Sequence, residues 1–372
     1  MRRFISSVTG ARAWLGLVAV FLSSVVVVGS GPDAVASARA TVIPVVDAAT
    51  AAPYHGSDFE SYFARQSWVS SFLKEQASQI AHHMSSTGAL AYNVAWEAGR
   101  RSNWFIEGQR NAYFLVAAGV ANHDETLLED GIKALEWGFA QQQSDGSFAS
   151  GDQFHSTSLF VEATARCLLL LHQSSSVPQA LRARADALVP HLKAAALWLA
   201  ARPDGVNKEL THRFFLVGTA LRESAALTDD TQLTTVADDL VRQGLKRQTA
   251  DGVFPERGGG DTQYQSFSIE LATRYASVTS NAALRASLGE ATRKGVDWLL
   301  TKIGRNGEID YRQNTRTGCN DRDRTGSTKN VGYKYIPMRL VYYVTFWGDD
   351  RGLTDIATAV TNYAKSFTLN CG

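Results

Sequence analysis

The sequence predicts an all-α protein built as an α/α toroid, and three observations support that prediction. Amphipathic segments alternate with segments that are apolar nearly all round, turn dipeptides recur at a regular spacing, and alternating strand patterns are scarce. The spacing of the turns is roughly 55 residues, which indicates a repeated helical hairpin. The turns are Asp145-Gly146, Asp204-Gly205, Asp251-Gly252 and Asn306-Gly307, with a weaker copy at Thr87-Gly88.

Each turn separates two predicted helices of different character. The helix before it is amphipathic, with predicted ranges 67–85, 124–143, 179–201, 232–247 and 286–303. The helix after it is apolar nearly all round, with predicted ranges 103–119, 155–172, 209–226, 262–276 and 332–347. A helix that is apolar on every side is buried, so the second set is predicted to form an inner layer.

A last amphipathic helix, 353–368, has no partner after it. Five inner and six outer helices predict an incomplete or barely closed (α/α)5–6 barrel of helical hairpins. An α-solenoid is the alternative architecture, although solenoid repeats are usually shorter, at ~34–47 residues.

The first forty residues have the pattern of a secretory signal peptide. Three arginines precede the apolar run 15–28, and small-residue cleavage sites follow at 36–40. Arg2-Arg3 could also belong to a twin-arginine signal, and an uncleaved anchor is a further alternative. We expect residues 41–58 to be a mobile leader and 59–372 to be a single catalytic domain of a secreted, monomeric protein without stable membrane association.

The net charge argues against nucleic-acid binding, and the cysteines indicate one disulfide. Removal of residues 1–40 leaves 33 of the 37 basic and 35 of the 36 acidic residues, so the net charge is near −2. A chain with this net charge has no overall positive potential that would attract nucleic acid. In an oxidising compartment Cys319 and Cys371 are expected to form a disulfide between the 304–332 loop and the C-terminal tail, whereas Cys167 is expected to be a buried thiol.

In a toroid every inner helix begins on the same face of the molecule. We therefore expect the polar residues at these helix starts to lie close together. Candidate catalytic residues at these helix starts are Asn103, His155, His212 and Tyr264. Asp152, Glu209 and Asp261 are interpreted as helix caps or first-turn acids. The glycines 258–260 before Tyr264 are expected to leave room for a ligand. Candidate substrate-binding residues are Arg101, Trp104, Arg213, Arg257, Lys334 and Tyr335.

These residue types suit β-elimination in an anionic polysaccharide. Loss of the C5 proton of a uronate requires neutralisation of its carboxylate, which Asn103 and His155 could provide. A base must reach C5 and an acid must reach O4, and Tyr264 could perform either task, with His212 as the other candidate base. No cofactor is expected, and no tight ligand spacing indicates a metal.

The segment GGGDTQYQSFSIELATRY, together with the signal peptide, the helical repeats and the helix-start Asn and His, resembles toroid polysaccharide lyases that act on alginate, glucuronan and related uronates. The resemblance implies Tyr264 as acid or base, with the Asn and His as neutralisers of the carboxylate. The sequence lacks the contiguous Asn-Asn-His-Ser-Tyr-Trp type of signature found in some alginate lyases, so no subfamily is assigned.

Two other function classes use the same scaffold. A glycoside hydrolase would need a carboxylate pair, and its candidates are Glu97, Asp152, Glu256, Asp261 and Asp310. A non-catalytic carbohydrate-binding protein would use the same cleft without turnover. The lyase hypothesis makes a geometric prediction, namely that Asn103, His155, His212 and Tyr264 lie close together in space.

Overall fold

The protein is all-helical, as the sequence predicts. The computed structural model describes residues 52–97, 105–323 and 326–371, and within these ranges it contains thirteen α-helices and only isolated β-bridges. The described part of the chain contains no helix that is long and apolar enough to cross a membrane. The expected signal peptide, residues 1–40, lies outside the described residues.

The helices fall into two alternating sets. The amphipathic set is α2 (Ser67–His82), α5 (Glu125–Phe139), α7 (Gln179–Ala200), α9 (Thr231–Leu245), α11 (Ala282–Leu300) and α13 (Leu353–Ala364). The buried set is α4 (Ala112–Asn122), α6 (Gln153–Gln173), α8 (Thr211–Thr228), α10 (Thr262–Val278) and α12 (Ile336–Trp347). Two short helices complete the order, α1 (Phe59–Ala64) and α3 (Asn93–Glu97).

The buried helices α4, α6, α8, α10 and α12 each pack against the next one, and each also packs against amphipathic neighbours. Helix α1 contacts α4 and α6, and two of its phenylalanines contact Tyr342 of α12. The ring centroids of Phe59 and Phe63 lie 5.1 and 4.7 Å from that of Tyr342. The short α1 therefore bridges the first and last buried helices, which is consistent with the toroid that the sequence predicts.

One helix boundary differs from the sequence prediction, and two short helices are additional to it. The first inner helix was expected from residue 103, but the regular helix begins at Ala112 and is preceded by a 3-10 turn at Glu107–Asn111. Helices α1 and α3, of six and five residues, were not predicted. Elements this short span fewer than two helical turns, so they give no periodic signal in the sequence.

The recurring turn glycines connect one hairpin to the next. Gly252 has φ +93°, and a Cβ there would lie 2.3 Å from the backbone oxygen of Lys294 on α11. Any other residue would therefore be strained in conformation and would also clash with the next amphipathic helix. The same positive φ and close approach to the backbone of a later amphipathic helix occur at Gly88, Gly146 and Gly307. Gly205 differs, because it packs against the ring of Phe154.

A cluster of buried charges joins the helices at the centre. Arg274 of α10 contacts Glu162 of α6 and donates to both carboxylate oxygens of Glu223 of α8 at 2.7 Å. Arg166 of α6 donates to Glu60 of α1 at 2.8 Å.

The cluster extends to α12 through two more residues. Glu270 of α10 accepts from Arg166 and from Arg339, each at 3.2 Å. Four carboxylates thus face three guanidinium groups, and all of them are buried. Burial raises the pKa of Glu223 from 4.5 to about 7, against the opposing effect of Arg274. A proton on Glu223 would remove the excess negative charge.

The raised pKa of Glu223 predicts a specific pH dependence of stability. The folded protein holds the Glu223 proton up to about pH 7, whereas the unfolded chain releases it near 4.5. This contribution to stability is therefore complete below pH 4.5 and is lost as pH rises toward 7. We expect the Tm of the wild type to fall more between about pH 5 and pH 8 than that of Glu223→Gln.

Thermal melts monitored by circular dichroism at both pH values test this. Glu290→Gln is the control, because Glu290 is exposed and its pKa is lowered by Lys294, outside this pH window. Equal Tm shifts for the wild type and Glu223→Gln would contradict the assignment of the proton to Glu223.

Candidate active site

A cavity of about 610 Å³ lies at the beginnings of the buried helices, and we call it the outer cavity. His155 near the start of α6, His212 near the start of α8 and Tyr264 near the start of α10 all line it. The structure therefore brings three of the four predicted catalytic residues to one surface. The fourth, Asn103, lies outside the described residues, as do Arg101 and Trp104.

His212 is held by a buried carboxylate. Oε1 of Glu256 accepts from Nδ1 of His212 at 2.8 Å and from the His212 backbone N–H at 3.0 Å. Glu256 is fully buried and His212 is 3% exposed. Because an ionised carboxylate can only accept, Nδ1 carries the proton, and Nε2 is the basic nitrogen of the ring.

The pKa values of this pair are shifted by burial and by mutual contact. Burial lowers the pKa of His212, although Glu256 acts in the opposite direction. Burial would raise the pKa of Glu256, but His212 and Arg316 together hold it below its usual range. At neutral pH the site therefore contains a carboxylate and a neutral imidazole, which is the state that a general base requires.

Tyr264 is placed between His212 and Arg316. Its ring centroid lies 4.7 Å from that of His212, and the guanidinium carbon of Arg316 lies 3.9 Å from the Tyr264 centroid. Arg316 also donates to Oε2 of Glu256 at 2.9 Å. One carboxylate thus fixes both the imidazole and the cation that flank the phenol ring.

The predicted cap roles are confirmed for two acids and wrong for the third. The Asp152 side chain accepts from the His155 backbone N–H, and the Asp261 side chain accepts from that of Tyr264. Asp261 also accepts from the backbone N–H of Thr317 at 2.8 Å, which ties the start of α10 to the loop between α11 and α12. Glu209 caps no helix, because Leu210 occupies the cap position of α8; the exposed Glu209 instead lines the cavity.

Two of the three glycines before α10, Gly259 and Gly260, do not leave space for a ligand, contrary to the sequence interpretation. A Cβ at Gly259 would lie 2.6 Å from Thr315, and one at Gly260 would lie 2.5 Å from Trp298. These two glycines let the loop pack closely against neighbouring protein. Gly258, with φ +82° and no neighbouring atom within 4 Å, supplies the backbone turn.

The predicted substrate-binding residues do not all line the outer cavity. Arg213 and Arg257 line the outer cavity, where they form ion pairs of 3.4 Å with Asp152 and Asp321, respectively. Tyr335 lines an adjoining, smaller cavity. Lys334 is exposed, and its ammonium lies 5.6 Å from the Tyr335 ring; it lines neither cavity.

The sequence analysis did not identify all the basic side chains that line the outer cavity. Arg316 and Lys329 line the outer cavity, and both come from the loop between α11 and α12. The disulfide predicted between Cys319 and Cys371 is present and lies three residues after Arg316. The disulfide predicted from the sequence indicates that the loop between α11 and α12 is held in place. That prediction could have identified Arg316 and Lys329 as candidate site residues.

The five carboxylates proposed for a hydrolase do not form a pair in the outer cavity, and none of them lines it. Glu256 and Asp261 are fully buried and engaged as described above. Glu97 accepts from the indole of Trp137 at 2.7 Å, and Asp310 accepts from Arg312 at 2.9 Å. Other acids do line the cavity, including the exposed Glu209.

Within the described ranges, no group of three or more His, Cys, Asp or Glu side chains has an arrangement that could hold a metal ion. Cys167 is buried, as expected, and burial raises the pKa of its thiol.

Neither a family model nor a curated protein matches this sequence. The case for a function therefore rests on the chemistry of the outer cavity.

The Cys319–Cys371 disulfide is expected to stabilise the protein by closing a loop with a sequence separation of 52 residues. Loss of the bond in Cys319→Ser should lower the free energy of unfolding by about 2–4 kcal/mol, measured by urea denaturation. Cys371→Ser and the double variant should show the same loss, because each removes the same bond. Additive losses in the double variant would contradict this explanation.

Proposed function

We propose that this protein is a secreted polysaccharide lyase that cleaves a uronate-containing polymer by β-elimination. The observation that carries the proposal is the single cluster of His212, Tyr264 and Arg316 around the Glu256 carboxylate. It supplies a neutral imidazole, a phenol hydroxyl and a fixed positive charge on one cavity wall. The disulfide is compatible with an oxidising, extracellular location.

In the proposed reaction, Nε2 of His212 removes the C5 proton of the uronate. The electrons of the broken C–H bond form the C4=C5 double bond, and the C4–O4 bond breaks. Tyr264 gives its hydroxyl proton to O4, so the departing chain leaves as an alcohol. His155 and the guanidinium of Arg316 offer hydrogen bonds and positive charge to the uronate carboxylate, where negative charge develops.

Acids such as Glu209 line the outer cavity, but the carboxylate that is hydrogen-bonded to His212 and Arg316 supports elimination and not hydrolysis at this cluster. A hydrolase needs an accessible carboxylate as nucleophile or base. Glu256, the carboxylate closest to the cluster, is fully buried and accepts from His212 and Arg316. It is therefore suited to orient the imidazole and not to attack a sugar carbon.

Variants of the two proton-transfer residues test this assignment. The wild type is incubated with glucuronan, alginate, pectate and hyaluronan, and the unsaturated product is followed by its ultraviolet absorbance. On the polymer that is cleaved, Tyr264→Phe and His212→Gln should each lower kcat by about 10²–10⁴-fold. Asp152→Asn is the control: asparagine is also a good helix cap, so most activity should remain.

A rise in reducing ends on a neutral glycan, without an unsaturated product from any of the four polymers, would refute the lyase proposal. Full activity of Tyr264→Phe on the cleaved polymer would refute the role of the phenol. The circular dichroism spectrum of each variant establishes that it is folded.

The lowered pKa of His212 predicts the acid limb of the pH profile. A base acts when it is neutral, so kcat/KM should be highest above the His212 pKa and should fall as pH drops through it. Because burial lowers this pKa below 6.5, the limb should lie below pH 6.5. Initial rates at subsaturating substrate across the acid range measure it. A limb centred above 6.5 would contradict His212 as the base in its neutral, buried state.

A further inference from the structure

A second cavity of about 220 Å³ adjoins the outer cavity, and we call it the inner cavity. Arg110, Leu159, Gln263, Tyr264 and Phe267 line both cavities, so the two share a common boundary beside the candidate catalytic tyrosine. Apart from Asn111 and Tyr335, which directly precede α4 and α12, the remaining lining comes from successive turns of α4, α6, α10 and α12. The inner cavity therefore extends from the outer cavity into the space between the buried helices.

The far end of the inner cavity is closed by the buried charge cluster. Arg166, Glu270 and Arg274 line it, and all three are at most 4% exposed. Behind them lies Glu60 of α1, which accepts from Arg166 and from the Tyr342 hydroxyl and is itself 4% exposed. A chain that entered the inner cavity would therefore have to stop there.

Residues on the wall of the inner cavity carry buried polar atoms that lack hydrogen-bond partners among the described residues. These atoms are Nη2 of Arg166 and the hydroxyl of Tyr113, and both side chains are more than nine-tenths buried. The guanidinium carbon of Arg166 lies 4.0 Å from the Tyr113 ring centroid, so the cation stacks on the phenol ring. Oε1 of Gln263, at the boundary between the cavities, is an acceptor in the same situation. Buried polar groups of this kind are costly unless a ligand or water satisfies them.

The chemistry of the wall fits a sugar ring. It offers donors and an acceptor for hydroxyl groups, and Leu159, Phe267 and Met338 form an apolar surface for a ring face. The volume is below the ~300–1,000 Å³ of sites for drug-sized ligands, which indicates one small ring. Arg110 and Arg339 lie on the wall and could meet a carboxylate of that ring.

We propose that the inner cavity is a closed subsite for the terminal sugar of the polymer, so that the enzyme acts from a chain end. The inference rests on the proposed lyase function, because the boundary of the subsite is Tyr264. Entry of one sugar would place the next linkage beside Tyr264 and His212. The ligand class is a single uronate residue, whose oxygen atoms would accept from Arg166 and Tyr113.

Removal of one hydroxyl tests the subsite with little risk to the fold. Tyr113→Phe deletes a buried hydroxyl that has no hydrogen-bond partner among the described residues, so the Tm of the variant should not fall. Tyr343→Phe is the matched control, because Tyr343 is equally buried but lines neither cavity. Isothermal titration with D-glucuronate should show binding to the wild type and to Tyr343→Phe, and about tenfold weaker binding to Tyr113→Phe.

Product length provides the second measurement. The wild type should release unsaturated monosaccharide from the start of digestion, and Ala163→Leu, which fills the inner cavity but not the outer one, should lose most of this activity. Equal glucuronate affinities for the three proteins, or no binding because the cavity holds only water, would overturn the proposal.

The outcomes separate the subsite from the lyase reaction. If glucuronate binds in a Tyr113-dependent way but no polymer yields an unsaturated product, the subsite stands and the lyase proposal fails. If unsaturated oligosaccharides of mixed length appear from the start and Tyr113→Phe matches the wild type, the lyase proposal stands and the subsite fails.

Discussion

The cluster of arginine and glutamate side chains between the buried helices is the constraint on which the fold depends. Arg274 and Arg166 together contact carboxylates from α1, α6, α8 and α10, which are far apart in sequence. Removing one partner would leave a buried charge uncompensated, which is strongly destabilising. The cluster therefore favours a single relative arrangement of these helices, and their N-terminal residues then meet at one cavity.

Glu256 has a similar role near the N-terminal ends of the buried helices. Its carboxylate holds the ring and backbone of His212 on α8, and it also holds Arg316 from the loop that follows α11. The positions of the imidazole and of the cation are thus coupled. For the proposed lyase, these bonds would hold the imidazole and the cation in place before substrate arrives, which is the condition under which electrostatic stabilisation of a developing charge is most effective.

The two cavities lie between the buried charge cluster and the residues held by Glu256. Tyr264 lies on both cavity walls, so the proposed proton donor stands at the boundary between the open site and the closed space above the charge cluster. Glu270 and Arg274 belong to the cluster and also line the inner cavity. The same residues that join the buried helices would therefore set the depth to which a polymer can enter.

The sequence alone determined the alternation of amphipathic and apolar helices, the cap roles of Asp152 and Asp261, and the pairing of Cys319 with Cys371. These features depend on local periodicity, on residue types at helix ends, or on a very small number of candidates. The convergence of His155, His212 and Tyr264 also followed from the register of the repeats.

Only the tertiary structure decided the partners of these residues. Glu256 lies 44 residues from His212, and Arg316 lies 60 residues from Glu256; neither contact has a local signal. The sequence interpretation of Gly259 and Gly260 is wrong for the same reason, because Thr315 and Trp298 fill the space beside them only once the chain has folded. Side chains that meet through packing of distant segments leave no periodic pattern in the sequence, so the charge cluster and the inner cavity could be found only in the fold.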